Sequence, residues 1–177
     1  EEGITAVFAS PYGNALLLPI TYGYIKMLGA DGLRRVTEMA IVNANYMAKA
    51  LEGEFRTYYT GENGRVGHEM ILDLRDFRKL YGVECADIAR RLMDYGFHAP
   101  TVYFPLLFHE AMMIEPTETE SKDTLDAFID TMKRIAQEAK TDPEKLRSAP
   151  HNTPVRRLDD VKAVKEPHFT YKDYDEP

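Results

Sequence analysis

The chain has 177 residues, of which 44% are hydrophobic and 29% charged, and its formal net charge is −7. This length suits one domain with a sizeable core, and the acidic balance argues against nucleic acid as a partner because phosphate binding needs a surplus of basic residues. The single cysteine, Cys85, excludes an intrachain disulfide and a cysteine-rich zinc site.

No apolar run reaches the roughly 18–20 residues that a membrane-spanning helix needs, and no signal peptide is visible. We therefore expect no membrane association and a cytoplasmic location. The chain opens on Glu1-Glu2-Gly3 and not on methionine, so we expect it to be an excised domain of a longer protein.

The first third of the chain predicts two helices. After Ile4–Ser10, a short strand or linker, residues 15–28 are so apolar that we expect a mostly buried helix, kinked at Pro19 and ended by Gly29. The lack of a polar face predicts that a missing domain or a second copy covers this helix.

The second helix is predicted from an N-cap at Asp31 to Leu51, with apolar residues three and four apart. Asn43 and Asn45 are unusual inside a helix because their amides compete for backbone hydrogen bonds. We expect them to bond a neighbouring loop.

The middle of the chain alternates between strand and helix patterns. Strands are expected over 55–60, 68–74 and 111–115, with a helix or loop at 75–81, an amphipathic helix from Cys85 that Gly96 stops, and a long helix from the N-cap Ser121 to Asp142-Pro143. Two or three antiparallel strands covered on one face by helices make an α+β fold.

The composition changes at Ala149, where prolines and mixed charges replace the apolar periodicity. We therefore predict two units, a domain over 1–148 and an extended C-terminal arm over 149–177. Arg156 and Arg157 in this arm are candidates for binding an anion or an acidic partner; the alternative is a solvated ion pair with Asp159 or Asp160.

None of the five histidines shows the spacing of a metal site, so we predict no metal. Cys85 lies on the apolar stripe of its helix and is expected to be a core residue, not a nucleophile.

His98 follows a helix stop and precedes Ala99-Pro100, which favours an extended loop. A histidine in such a loop can donate or accept a proton or orient a bound group; the alternative is a simple surface hydrogen bond. Glu115 ends a strand, with Glu118 and Glu120 close behind; these acids are either site residues or caps of the next helix.

Five segments together resemble one family, the glycine decarboxylase P-protein, in its split form with a second subunit. They are Tyr12-Gly13-Asn14, Asn43–Tyr46, Leu92–Pro105, Met113–Lys122 and Ala149–Asp159. The match is to the C-terminal domain alone. The resemblance implies the small domain of a fold type I, aminotransferase-like pyridoxal-phosphate enzyme.

The family's Schiff-base lysine lies upstream in a His-Lys-Thr context, and no histidine here precedes a lysine. The resemblance therefore implies a fragment that is inactive alone, with pyridoxal phosphate held mainly by the missing large domain. It implies an oligomeric decarboxylase of the glycine cleavage system, acting on glycine with a first subunit and the lipoyl-carrying H-protein. The alternative is a non-catalytic assembly module.

The resemblance also makes the loop of His98 and the strand end at Glu115 candidates for the cleft that holds cofactor and substrate. Many fold type I relatives carry an arginine for the substrate carboxylate on a small-domain strand, whereas the strand here carries Glu115 and no arginine. The candidate cleft residues are Asn14, His98, Thr101, Glu115, Thr117 and Glu118.

Overall fold

The computed structural model describes residues 13–106 and 109–170. The expected strand or linker at Ile4–Ser10 and the last seven residues of the predicted arm lie outside these ranges. Within them, none of the helices combines the length and hydropathy needed to span a bilayer.

Four strands form one antiparallel sheet in the order β1-β2-β4-β3. The first, second and fourth strands match the predicted segments. The third is a short edge strand that was not predicted from the sequence. The strands are β1 (Arg56–Tyr58), β2 (Met70–Asp73), β3 (Thr101–Val102) and β4 (Ala111–Ile114).

Six α-helices lie in the described part of the chain, after a single 3-10 turn at Ala15–Leu17. The longest, α1, merges the two helices predicted for the first third. The helices are α1 (Leu18–Leu51), α2 (Arg75–Tyr81), α3 (Cys85–Asp94), α4 (Lys122–Thr141), α5 (Pro143–Arg147) and α6 (Asp160–Lys165).

The core lies between one face of the sheet and the helices. In β2, Met70 and Leu72 are buried while Ile71 and Asp73 keep partial exposure, as expected for a strand with one covered face. The covering side chains come from the end of α1, from α3 and from α4, among them Met47, Leu51, Ile88, Leu92, Phe128 and Met132. The α+β prediction is confirmed.

The chemistry of the helix ends also agrees with the sequence. Ser121 caps α4 by accepting a hydrogen bond from the backbone N–H of Thr124 at 3.1 Å. Asp142-Pro143 separates α4 from α5, because proline cannot donate to the preceding turn.

The prediction of a buried helix over residues 15–28 is wrong for this chain. Leu16 is 81% exposed and Met27 88% exposed, and no described residue before Asn43 is buried. Pro19 does not kink the helix, because it lies in the first turn, where the backbone N–H has no helical partner. The kink is at Gly29, whose φ of 63° and ψ of −175° are open to glycine but strained for other residues.

The predicted arm is not extended throughout. Ala149 and Pro150 are buried, and α6 forms over Asp160–Lys165, where Asp159 accepts a hydrogen bond from the N–H of Lys162 at 2.9 Å. An N-cap aspartate therefore starts a six-residue helix inside a segment that the composition predicted to be extended.

Candidate functional site

A groove of about 390 Å³ lies between the β3–β4 edge of the sheet and the start of α4. Its lining is largely apolar, and the rings of Phe97 and Phe128 meet edge to face there with centroids 5.2 Å apart. The polar lining residues are His98, Thr101, Glu115, Glu120 and Thr124. An apolar cleft with a few converging polar groups is the usual form of a small-molecule site.

Sheet register explains why His98, Thr101 and Glu115 share this groove. Thr101 pairs with Met113 across β3 and β4, so the loop that carries His98 lies beside the end of β4, where Glu115 follows Ile114. The structure thus brings together three of the six predicted cleft residues.

The other three predicted cleft residues do not line the groove. Asn14 caps the 3-10 turn by accepting a hydrogen bond from the N–H of Leu16 at 3.0 Å. The hydroxyl of Thr117 lies 2.7 Å from that of Thr119. Glu118, in the same turn, is half-buried outside the lining. A site role for these residues stays a prediction.

The acids of the β4–α4 turn do not cap α4. Ser121 supplies the cap, and Asp123 is the acidic residue in the first helical turn. Glu115 instead lies near His68, with Oε1 3.8 Å from Nε2. The capping alternative for Glu115 is therefore wrong.

Glu115 belongs to a group of three possible metal ligands that the sequence analysis did not find. One ligand atom each from His68, Glu69 and Glu115 lies within 4.8 Å of the others. Met70 pairs with Ile114, so Glu69 comes opposite Glu115 although they are far apart in sequence. All three remain at least partly exposed, and the absence of a metal site stays a prediction.

Two asparagines of α1 hold the turns on either side of the helix, as the sequence predicted. The Asn43 amide donates to the carbonyl oxygen of Thr117 at 2.9 Å and so fixes the turn that carries Glu115. Asn45 donates to the carbonyl of Val66 at 2.8 Å and accepts from its N–H at 3.0 Å. The rim of the groove therefore depends on a buried side chain of α1.

A second polar cluster, the α3–α4 network, is buried between those helices and was not predicted. Arg91 donates to both carboxylate oxygens of Glu138, at 2.9 and 3.0 Å, and to Asp94 at 2.9 Å. Tyr95 and Lys145 also donate to Glu138. Asp87, Arg91 and Asp94 repeat at helical spacing, a pattern that in sequence is indistinguishable from a solvated face.

The pKa values of two carboxyl groups in this network, those of Glu138 and Asp94, lie below their usual range. Burial by itself raises the pKa of Glu138, but hydrogen bonds from Arg91, Lys145 and Tyr95 outweigh it and lower the pKa to about 2. Burial opposes ionisation of Asp94 too, yet the N–H groups of Asn152 and His151 and the guanidinium of Arg91 lower its pKa.

The network also holds the start of the arm. Asp94 accepts from the backbone N–H of His151 at 2.5 Å and of Asn152 at 2.7 Å. Arg157 pairs with the buried Asp87 at 3.1 Å, so the predicted pair with Asp159 or Asp160 is wrong for this residue. Arg156 donates to the carbonyl of Pro150 at 3.5 Å. Neither arginine lines the groove, and an anion-binding role stays a prediction.

Cys85 is a core residue, as predicted. Its side chain is fully buried, and burial together with the nearby Glu110 carboxylate raises the thiol pKa to about 12. A thiol that stays protonated at neutral pH is a poor nucleophile.

Comparison with known proteins gives one consistent result. The family model described as glycine dehydrogenase, C-terminal domain, matches residues 36–156. That range includes the groove, the α3–α4 network and the start of the arm.

Several curated relatives agree with this match. The chain is 50% identical over 165 residues to the probable glycine dehydrogenase (decarboxylating) subunit 2 of Pyrococcus abyssi, 52% over 161 residues to that of Fervidobacterium nodosum, and 53% over 161 residues to that of Methylococcus capsulatus. These alignments cover 93%, 91% and 90% of this chain, but only 33% of each relative. The chain therefore spans about a third of the length of these relatives.

Proposed function

The chain belongs to the glycine dehydrogenase C-terminal domain family, and from this premise we propose that it is the small domain of a decarboxylating glycine dehydrogenase. The reaction is the release of CO2 from glycine and transfer of the aminomethyl remainder to the lipoyl arm of an H-protein. A first subunit, a cytoplasmic location and an oligomeric full-length enzyme belong to the same proposal.

The groove is the observation that carries this proposal. His98, Thr101 and Glu115 meet in a largely apolar groove that Glu120 and Thr124 also line, and the described residues give no hydrogen bond to the His98 or Thr101 side chain. Their polar atoms are therefore available to a ligand. A histidine can accept a proton as imidazole or donate one as imidazolium, and a threonine hydroxyl can orient a carboxylate or an amine.

The residues present do not by themselves fit pyridoxal phosphate. Among the described residues no lysine or arginine lines the groove, so these residues offer neither a Schiff-base amine nor a cation for the phosphate. The chemistry that the cofactor supplies when bound is uptake of the electron pair left by CO2. We place the cofactor in the remainder of the full-length subunit and the groove at the rim of its cleft.

The groove residues then act on the substrate side. The His98 imidazole can hold or move a proton at the rim, and the apolar lining excludes water. Glu115 stands where many fold type I relatives have an arginine, and its negative charge repels a carboxylate. We therefore propose that residues outside the groove bind the carboxylate of glycine. Glu115 then faces the ammonium group of glycine or the incoming lipoyl arm.

The test is His98→Ala in the full-length enzyme, with His109→Ala as the matched control because His109 is exposed and outside the groove. We expect His98→Ala to slow glycine–CO2 exchange by roughly 10²-fold or more, as for the loss of an acid–base group. The free energy of unfolding should change by less than about 0.5 kcal/mol, as for an exposed side chain.

Unchanged exchange in His98→Ala would remove His98 from the site, and lost folding would make it a structural residue. Glu115→Gln is the second variant. If this variant leaves both glycine affinity and turnover unchanged, the role proposed for Glu115 is wrong.

The rival function is a non-catalytic assembly module, which the exposed first half of α1 favours. An unchanged rate of glycine–CO2 exchange in both His98→Ala and Glu115→Gln would favour this module. Mixing the 177-residue chain with pyridoxal phosphate and reducing with borohydride tests a different point, whether this chain holds a complete cofactor site. We expect no specific lysine to be modified. Stoichiometric modification of a single lysine would show a complete cofactor site in this chain and overturn the proposed division of the active site.

A further inference from the structure

The first half of α1 projects from the domain. None of the described residues 13–42 is buried, whereas Asn43, Ala44, Met47 and Leu51 at the other end of the same helix are. The kink at Gly29 separates an apolar segment of the helix from a charged one. Beyond it the helix surface becomes charged, with Arg34 paired to Glu38 at 3.6 Å.

Before the kink the helix has apolar side chains on two opposite sides. Leu18, Tyr22 and Ile25 recur at helical spacing on one side, and Ile20, Tyr24 and Met27 recur on the other. All six are at least 47% exposed, and Lys26 is the only charge among residues 15–28. A helix that is apolar on both sides is stable in water only when it is enclosed.

Enclosure on two sides limits the choice of occupant. In a two-fold dimer that paired these two helices with each other, one stripe of each helix would be covered and the other left in water. A body with a concave surface around the helix covers both. The relatives are long enough to supply a further body, because the match covers only 33% of their length.

We propose that residues 15–28 form a docking helix whose two apolar stripes are both buried by the part of the subunit that the relatives possess and this chain lacks. The proposal rests on family membership and the geometry of α1. It does not depend on the proposed reaction, because the test below is read without turnover.

Cysteine labelling tests each stripe separately. Ile25→Cys reports on one stripe and Ile20→Cys on the other, and Glu62→Cys, in the exposed turn between β1 and β2, is the matched control. The background from the 177 residues is low because their single cysteine, Cys85, is fully buried with a thiol pKa of about 12. Each variant is treated with a maleimide, as the 177-residue chain and as the same chain within the full-length subunit, and modification is followed by peptide mass spectrometry.

In the 177-residue chain we expect the new thiols of Ile20→Cys and Ile25→Cys to react at the rate of the thiol of Glu62→Cys. In the full-length subunit both should react at least ~tenfold more slowly while the control is unchanged, as expected for groups that react only after local opening. If a cysteine variant prevents folding, amide hydrogen exchange over residues 18–28 of the unmodified proteins gives the same comparison.

Three results would overturn the proposal. Protection of one stripe alone would indicate a flat contact. Concentration-dependent protection in the 177-residue chain would identify a second copy as the occupant. Protection that appears only when a separate first subunit is added would assign the helix to a subunit interface.

Discussion

The α3–α4 network and the groove differ in how completely their polar groups are paired. The side chains of Arg91 and Asp94 are buried and bonded to several partners, whereas His98 and Thr101 are exposed and Glu115 has one distant partner, His68. Buried charges are tolerated only when they are paired, so removal of one partner from the network should lower stability. Unpaired polar groups on an apolar surface contribute little to folding and are free for a ligand. Substitutions in the two regions should therefore affect different measurements.

The largest effect is expected from Arg91→Ala. The change leaves the carboxylates of Glu138 and Asp94 without their central cation, which should cost about 3–5 kcal/mol of unfolding free energy in urea denaturation. Arg134→Ala is the control. Both guanidinium groups lie near the Tyr95 ring, at 4.7 and 5.7 Å, but Arg134 is exposed, and its loss should cost under about 1 kcal/mol. Equal costs would show that the network is not what stabilises this region.

The next effect is a loss of stability in acid. The pKa of Glu138 is lowered from 4.5 to about 2 in the folded state, so its contribution is complete above about pH 4.5 and disappears as the pH falls through 2. We expect about 2–3 kcal/mol from this group, after allowance for its partial exposure. Glu138→Gln should flatten the profile over that window, while Glu144→Gln, on an exposed side chain, should not. Identical profiles for the two variants would contradict the assignment.

A smaller effect tests the rim of the groove. Asn43→Ala removes the donor that fixes the carbonyl of Thr117, at an expected cost of about 1–2 kcal/mol, and should speed amide hydrogen exchange over residues 117–120. Asn45→Ala should instead speed exchange near Val66. If both variants speed exchange over the same residues, the two asparagines do not hold separate turns.

The elements of the fold were predictable because short-range chemistry determines them. The cap at Ser121, the break at Asp142-Pro143 and the apolar spacing of α4 depend on residues within a few positions of one another. Gly29 was expected to end a helix, and its positive φ does interrupt the helical geometry, but the chain resumes as helix at once. The same local reasoning missed the third strand, which is too short to show alternation.

The residues of the groove could be predicted only in part. His98 was selected from its loop and Glu115 from its strand end, and the family resemblance grouped them, but only the pairing of β3 with β4 makes them neighbours. The approach of Glu69 to Glu115 follows from the register of Met70 with Ile114. No spacing rule covers residues so far apart in the chain.

The sequence by itself therefore determined the family, the α+β class and most helix ends, because these depend on local patterns and on long matching segments. The tertiary structure decided which polar groups are paired. Arg91 and Glu138 meet across 47 residues of chain, and the first half of α1 stays exposed although its composition predicts burial. The physical reason is the same in both cases: pairing and burial depend on what packs against a residue, and packing brings together parts of the chain that are distant in sequence.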